Sequence, residues 1–167
     1  MLRLERGLTT AQAARHMAVL VGGSLAGYIL GATLADRLGR RATLVLFASG
    51  GIATVLIATE GGVSDAALLA LGAPLGLFAM GLYSVIGPVL SELYPTRMRG
   101  SGLGFCYNVG RGVAGLAPLA VGGSIAAYGI SRSIGLYVST SYLLVLFAAA
   151  LLRETKGIEL MPMLKRA

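Results

Sequence analysis

The chain has 167 residues, of which 56% are hydrophobic and 13% charged, with a mean hydropathy of +0.79. Soluble domains carry roughly 25% charged residues, so this composition excludes an ordinary soluble protein and indicates a membrane one. The net charge of +7 does not indicate nucleic acid, because the basic residues gather in connections and at the tail, where the positive-inside bias puts them beside a lipid bilayer.

Residues 1–12 carry Arg3, Glu5 and Arg6 with no apolar core directly behind them, so a cleavable signal peptide is not expected there. A membrane helix needs about 20 apolar residues to cross a core of roughly 30 Å. Residues 14–35 supply the first. His16 lies near its end and is expected at the interface. Gly23, Gly27, Gly31 and Ala35 recur every four residues, a ridge of small side chains that lets a second backbone come close. The dense cluster Asp36-Arg37-Leu38-Gly39-Arg40-Arg41 follows. It cannot sit in hydrocarbon and predicts a connection in water.

Residues 42–59 form the second span, and residues 60–65 link it to the third, residues 66–90. Pro74 and Pro88 predict kinks or local breaks there. Residues 92–100 lead to the fourth span, 101–128, in which Pro118 predicts another. A short turn at 129–132 precedes the fifth span, 134–152. Every backbone group in hydrocarbon must be paired internally, which selects helices. The fold class is therefore all-α, a polytopic membrane protein of five transmembrane helices. Cys106, the only cysteine, lies in an apolar run and implies neither a disulfide framework nor a zinc site.

Arg37, Arg40, Arg41, Arg97, Arg99, Arg153, Lys156, Lys165 and Arg166 share one side of such a topology. Arg3, Arg6, Arg15 and Arg132 share the other. The richer side is expected to be cytoplasmic, with the carboxy terminus there and the amino terminus outside the plasma (inner) membrane. An amino terminus carrying three arginines resists translocation, and reads more naturally as a loop that follows an earlier helix.

Thr33-Leu34-Ala35-Asp36-Arg37-Leu38-Gly39-Arg40-Arg41 resembles the signature loop of the major facilitator superfamily, with Ala32 where that family usually has glycine. In the family this loop follows the second helix and recurs after the eighth. Residues 91–100, Ser-Glu-Leu-Tyr-Pro-Thr-Arg-Met-Arg-Gly, resemble the loop between the tenth and eleventh helices. Glu154-Thr155-Lys156-Gly157 resembles the end of the twelfth helix in sugar porters, with Arg153 in place of the usual proline. The three motifs fall in order and cover nearly the whole chain. The resemblance thus implies the carboxy-terminal bundle of a transporter without its first helix, over residues 1–167, the amino-terminal bundle being absent. It also implies that Asp36, Arg37, Gly39, Arg40, Arg41, Glu92, Arg99 and Glu154 form a cytoplasmic charge network that gates alternating access. Read without it, they are a solvated loop with topology charges.

Arg111 is the strongest candidate for a binding residue. It lies twelve residues beyond Arg99, about 18 Å of helix. A charge near mid-membrane costs from about 2.5 to well over 10 kcal/mol, so it is expected to have a function. Gly104, Asn108, Arg111, Gly115, Pro118 and Gly122 fall within about 40° of one line at 100° per residue, a narrow polar face. Tyr107 lies one turn before Arg111, and Tyr83 shares the third helix with Ser84 and Pro88. Guanidinium pairs with carboxylate through planar, paired donors. Arg111, Asn108, Tyr107 and Tyr83 are therefore candidates to bind a small organic anion; the alternative is a structural arginine paired with a carboxylate elsewhere in a complete transporter. Residues 104–111 resemble bacterial metabolite:proton symporters for organic acids, such as the sialate and aromatic-acid branches. No Asp or Glu lies inside a span, so a titrating acid for proton coupling is expected in the absent half.

No phosphate loop, metal-ligand spacing or nucleophile–base pair is present, so neither an enzyme nor a cofactor is expected. The leading expectation is a fragment of a proton-coupled organic-anion transporter, whose partners are a small carboxylate, the bilayer and an amino-terminal half. Two alternatives stand beside it. One is a sugar porter, suggested by Glu154-Thr155-Lys156-Gly157. The other is a truncated product or membrane scaffold that does not transport, since a site between two halves needs both.

Overall fold

A computed structural model describes residues 7–59 and 63–156. Arg3, Glu5, Arg6, residues 60–62 of the second connection, Gly157, Lys165 and Arg166 lie outside the described residues. Among those described, regular structure is entirely helical: α1 (Thr10–Leu38), α2 (Arg40–Thr59), α3 (Asp65–Leu93), α4 (Arg99–Ala114) and α5 (Ala117–Leu151).

Local chemistry starts these helices. Gln12 N–H donates to the Thr9 hydroxyl (3.3 Å) while Thr9 N–H donates to the Gln12 side chain (2.9 Å), a reciprocal cap on α1. Ala67 N–H donates to the Ser64 hydroxyl at the start of α3 (3.2 Å).

The expected loop at 36–41 is far shorter than predicted. Asp36 and Arg37 complete α1, Arg40 and Arg41 begin α2, and Gly39 alone separates them at φ +101°. A helix leaving hydrocarbon can continue into water as a charged last turn, and Arg37 there complements the helix dipole. Glycine then makes the reversal, because a side chain disfavours positive φ.

The prolines act differently from one another. Helix α3 runs unbroken through Pro74 and Pro88. At Pro118 the expected break is present: α4 ends at Ala114, Gly115 and Leu116 form a turn, and Pro118 lies in the first turn of α5. The missing proline N–H and its ring disfavour continuation of the helix. The predicted four-residue turn at 129–132 is a single residue, Gly129 (φ 75°, ψ 166°), with helix on both sides. Past it, Gly135 lies against Thr59 and Tyr142 against Gly51, while Glu154 bonds to Arg40. Residues 130–151 thus run antiparallel to α2, and the chain reverses at Gly129. The predicted fourth span is α4 with the first part of α5; the fifth is the rest of α5. By length and hydropathy α1, α2, α3 and the stretch Arg99–Leu151 can each cross a membrane.

The closest packing joins helices that are not chain neighbours. The ridge Gly23, Gly27, Gly31 lies against Ala73, Leu77 and Gly81 in register, so α1 and α3 run parallel. A Cβ on any of these three glycines would overlap the facing carbonyl oxygen. Gly76 returns the favour against Leu20. In lipid, where burying apolar surface gives little drive, such close approach supplies van der Waals contact. A core of Ala35, Leu44, Phe47, Ala48, Leu82, Val85, Val89 and Ala149 then joins α1, α2, α3 and α5. Phe47 meets Phe78 edge to face, with centroids 6.0 Å apart at 72°.

Candidate functional site

The ends of α1, α2, α3 and α5 meet in one charged cluster. The Arg40 side chain is 14% exposed and lies at its centre. Its Nε donates to Glu92 Oε1 and Oε2 (3.0 and 3.2 Å), and Nη2 donates to Oε1 (2.8 Å). Nη1 donates to the Ala35 carbonyl (2.8 Å) and to Asp36 (3.1 Å). One guanidinium thus ties the start of α2 to the ends of α1 and α3. Its fork geometry makes this possible; a lysine would supply only a point charge.

Glu154 closes the cluster from beyond α5. Its Oε1 accepts from Arg40 N–H (2.9 Å) and its Oε2 from Arg41 N–H (3.1 Å), so a carboxylate sits on the positive end of α2. Thr155 and Lys156 N–H add two donors at 3.1 Å. Gly39 is needed here for a second reason: a Cβ on it would lie 2.6 Å from Glu154 Oε2. Burial pushes the Glu154 carboxyl up, but the backbone N–H donors of Arg40, Lys156, Arg41 and Thr155 outweigh it and hold the group below its ordinary 4.5. A depressed carboxyl stabilises the fold above its unfolded value and loses that contribution as pH falls through its folded one. The purified chain is therefore expected to lose thermal stability as pH drops below 4.5, and Glu154→Gln to remove that part of the loss. Glu154 is solvent-exposed, so screening keeps the effect at about 1 kcal/mol or less. Thermal melts of both forms from neutral pH downward measure it.

Two further residues, Thr155 and Lys156, belong to this cluster. The Thr155 hydroxyl, in a residue only 3% exposed, donates to Glu92 Oε2, and Lys156 Nζ donates to the Arg37 carbonyl (2.6 Å). Both stand in the Glu154-Thr155-Lys156-Gly157 motif, whose resemblance gives them no separate role. Arg37 is held through its backbone. Arg99 bonds elsewhere: its Nε donates to the Ser91 carbonyl (2.9 Å) and Nη2 lies 3.4 Å from the Thr96 hydroxyl, so it closes the turn between α3 and α4.

A second feature lies between α3 and α4. A cavity of about 230 Å³ is lined by Tyr83, Ile86 and Leu90 from α3 and by Cys106, Tyr107 and Arg111 among others from α4. Tyr83 and Tyr107 meet edge to face, with centroids 6.1 Å apart at 68°. Arg111 stands in the last turn of α4, just before the break that Pro118 imposes. Its side chain has no hydrogen-bond or ion-pair partner among the described residues. Three of the four candidate binding residues thus share one cavity. Asn108 does not line it; its Nδ2 donates to the Gly104 carbonyl one turn back (2.7 Å). The Cys106 thiol, on the same wall, lies 3.2 Å from the Tyr94 hydroxyl. An arginine beside two aromatic rings can pair with a planar anion while the rings cover its apolar part.

Residues 7–165 match the family model described as "Sugar (and other) transporter". The chain is 32% identical over 140 residues to a protein named "Probable 4-methylmuconolactone transporter" from Cupriavidus pinatubonensis, covering 84% of this chain and 33% of that protein. It is 35% identical over 130 residues to the cis,cis-muconate transport protein of Acinetobacter baylyi, covering 74% and 31%. It is 31% identical over 122 residues to the niacin transporter NiaP of the same organism, covering 72% and 27%. The chain spans about a third of the length of these relatives. No solved structure matches it. Apolar helices packed through glycine, a charged cluster at their ends and this family match over nearly the whole sequence place the chain, an integral membrane protein and not an enzyme, in the sugar (and other) transporter family of the major facilitator superfamily.

Proposed function

We propose that this chain forms the last five helices of a secondary transporter for small organic anions, proton-coupled and working by alternating access. The observation that carries the reading is Arg111, unpartnered among the described residues and sharing a cavity with Tyr83 and Tyr107. An unpaired guanidinium in an apolar wall is costly, and an anionic cargo offsets that cost. Two relatives support the same chemistry, since muconate and niacin are carboxylic acids. An amino-terminal half supplies the opposite wall and the titrating acid, because no Asp or Glu lies in the apolar stretches of this chain.

The charged cluster is the gate in this reading, at the cytoplasmic side. Arg40 joins three helix ends through directed bonds that must break together, so the cluster holds one state until the helices move as a body. Glu154-Thr155-Lys156 does not favour a sugar as cargo: Glu154 caps α2 within the charged cluster and does not line the Arg111 cavity.

Competition in cells expressing the full-length transporter tests the cargo class. Aromatic and unsaturated carboxylates are expected to inhibit uptake of a labelled organic acid, and hexoses to leave it unchanged. Inhibition by hexoses with none by carboxylates contradicts the proposal.

A further inference from the structure

Away from the charged cluster, the beginnings of α1 and α3 enclose a separate cavity of about 230 Å³, lined by Gln12, Arg15, His16, Asp65 and Leu69 among others. His16 is 9% exposed, more buried than an interfacial residue is expected to be. Its Nδ1 lies 2.9 Å from the Gln12 carbonyl oxygen. A carbonyl only accepts, so Nδ1 carries the hydrogen and donates. The neutral ring then has its lone pair on Nε2. That atom is buried and has no partner among the described residues.

We propose that His16 Nε2 is a proton-binding site, set at the end of the α1–α3 glycine seam opposite the charged cluster. A metal ion does not fit, because no group of three or more His, Cys, Asp or Glu is gathered among the described residues. A proton fits a single buried lone pair. It adds to Nε2 from water; no bond within the protein breaks, and the ring gains one positive charge. Two charged residues line the same cavity as His16. Asp65, the first residue of α3, favours the charged ring, and Arg15 on α1 opposes it. The His16 carbonyl also faces Gly72 of α3, so a charge arriving here lands where the two backbones begin their close contact. Imidazole is the side chain whose charge ordinarily changes between about pH 5 and 8. The site is thus a proton acceptor within the chain, additional to any acid in the other half and independent of the cargo.

His16 is the only histidine, so ¹⁵N-histidine labelling of the full chain in lipid nanodiscs yields a single imidazole with no assignment needed. At about pH 8 the spectrum is expected to show Nδ1 protonated and Nε2 bare, the less common tautomer. On acidification Nε2 is expected to gain its proton. Asp65→Asn is expected to weaken proton binding at Nε2, and Asp65→Glu to preserve it. An Nε2–H tautomer before acidification, a bare Nε2 that persists after it, or proton binding indifferent to Asp65→Asn overturns the proposal. No transport is measured, so failure here leaves the cargo reading standing, and failure of the cargo reading leaves this site standing.

Discussion

Gly27→Leu is expected to abolish the folded chain, whereas Gly22→Leu, five residues earlier on the same helix, is expected to be tolerated. Both add the same apolar bulk to one apolar helix, so lipid solubility cannot separate them. Their surroundings do. A Cβ on Gly27 overlaps the Leu77 carbonyl oxygen, an atom of backbone that cannot rotate away. A Cβ on Gly22 meets nothing within 4 Å. Accommodating Gly27→Leu requires α1 and α3 to separate, and the parallel register carries that separation to Gly23 and Gly31. Overpacking a core typically costs 1–3 kcal/mol by displacing side chains. Displacing a helix backbone along about two turns is expected to exceed about 3 kcal/mol, the upper end of that range. Because the overlap begins at Cβ, Gly27→Ala is expected to be harmful already. Size-exclusion profiles of detergent-solubilised protein check this: a monodisperse peak for Gly22→Leu, aggregate or no peak for Gly27→Leu. Equal profiles would show that the seam does not hold the bundle.

Substituting Arg111 has the second large effect, on transport and not on folding. Helix α4 has no buried residues among its sixteen, and Arg111 makes no bond that the bundle needs. Arg111→Ala in the full-length transporter is therefore expected to reach the membrane in normal amounts and to lose organic-anion uptake. Arg111 is exposed on this chain; with the opposite wall of the complete transporter enclosing the charge pair, truncating one partner costs about 2–5 kcal/mol, roughly thirtyfold to several thousandfold in affinity. Arg111→Lys keeps the charge but not the paired donors, and is expected to retain weak uptake with a raised KM. Normal affinity in both variants would assign Arg111 to structure.

Much of this arrangement is legible in the residues themselves. The hydrophobic runs mark the spans, the four-residue spacing of Gly23, Gly27 and Gly31 marks a backbone contact, and Asp36, Arg40, Glu92 and Glu154 announce themselves as charges that must leave the hydrocarbon together. Which helix meets the glycine ridge is not legible, because the pairing of α1 with α3 depends on sites fifty residues apart. The end of α1 past Asp36 and Arg37 is not legible for a different reason: hydropathy reports where hydrocarbon ends, and a helix can go on in water. Arg99 and Asn108 carried the right chemistry, but local carbonyls at Ser91 and Gly104 satisfy them first. The motif names Thr155 and Lys156, but their bonds to Glu92 and to the Arg37 carbonyl depend on the ends of α1 and α3, which residues 154–157 alone do not reveal. Position alone puts His16 at the interface; its burial follows from the α1–α3 seam, which no single helix reveals.

The central claim is that the carrier recognises the negative charge of its cargo. Equilibrium binding of an aromatic carboxylate and of its primary amide to the purified full-length transporter tests that claim most directly, since the two ligands share shape and differ in charge. The carboxylate is expected to bind and the amide to bind at least about thirtyfold more weakly, the loss of roughly 2 kcal/mol expected when an arginine enclosed by the opposite wall of the complete transporter loses its partner. Equal affinity for the two would contradict the claim.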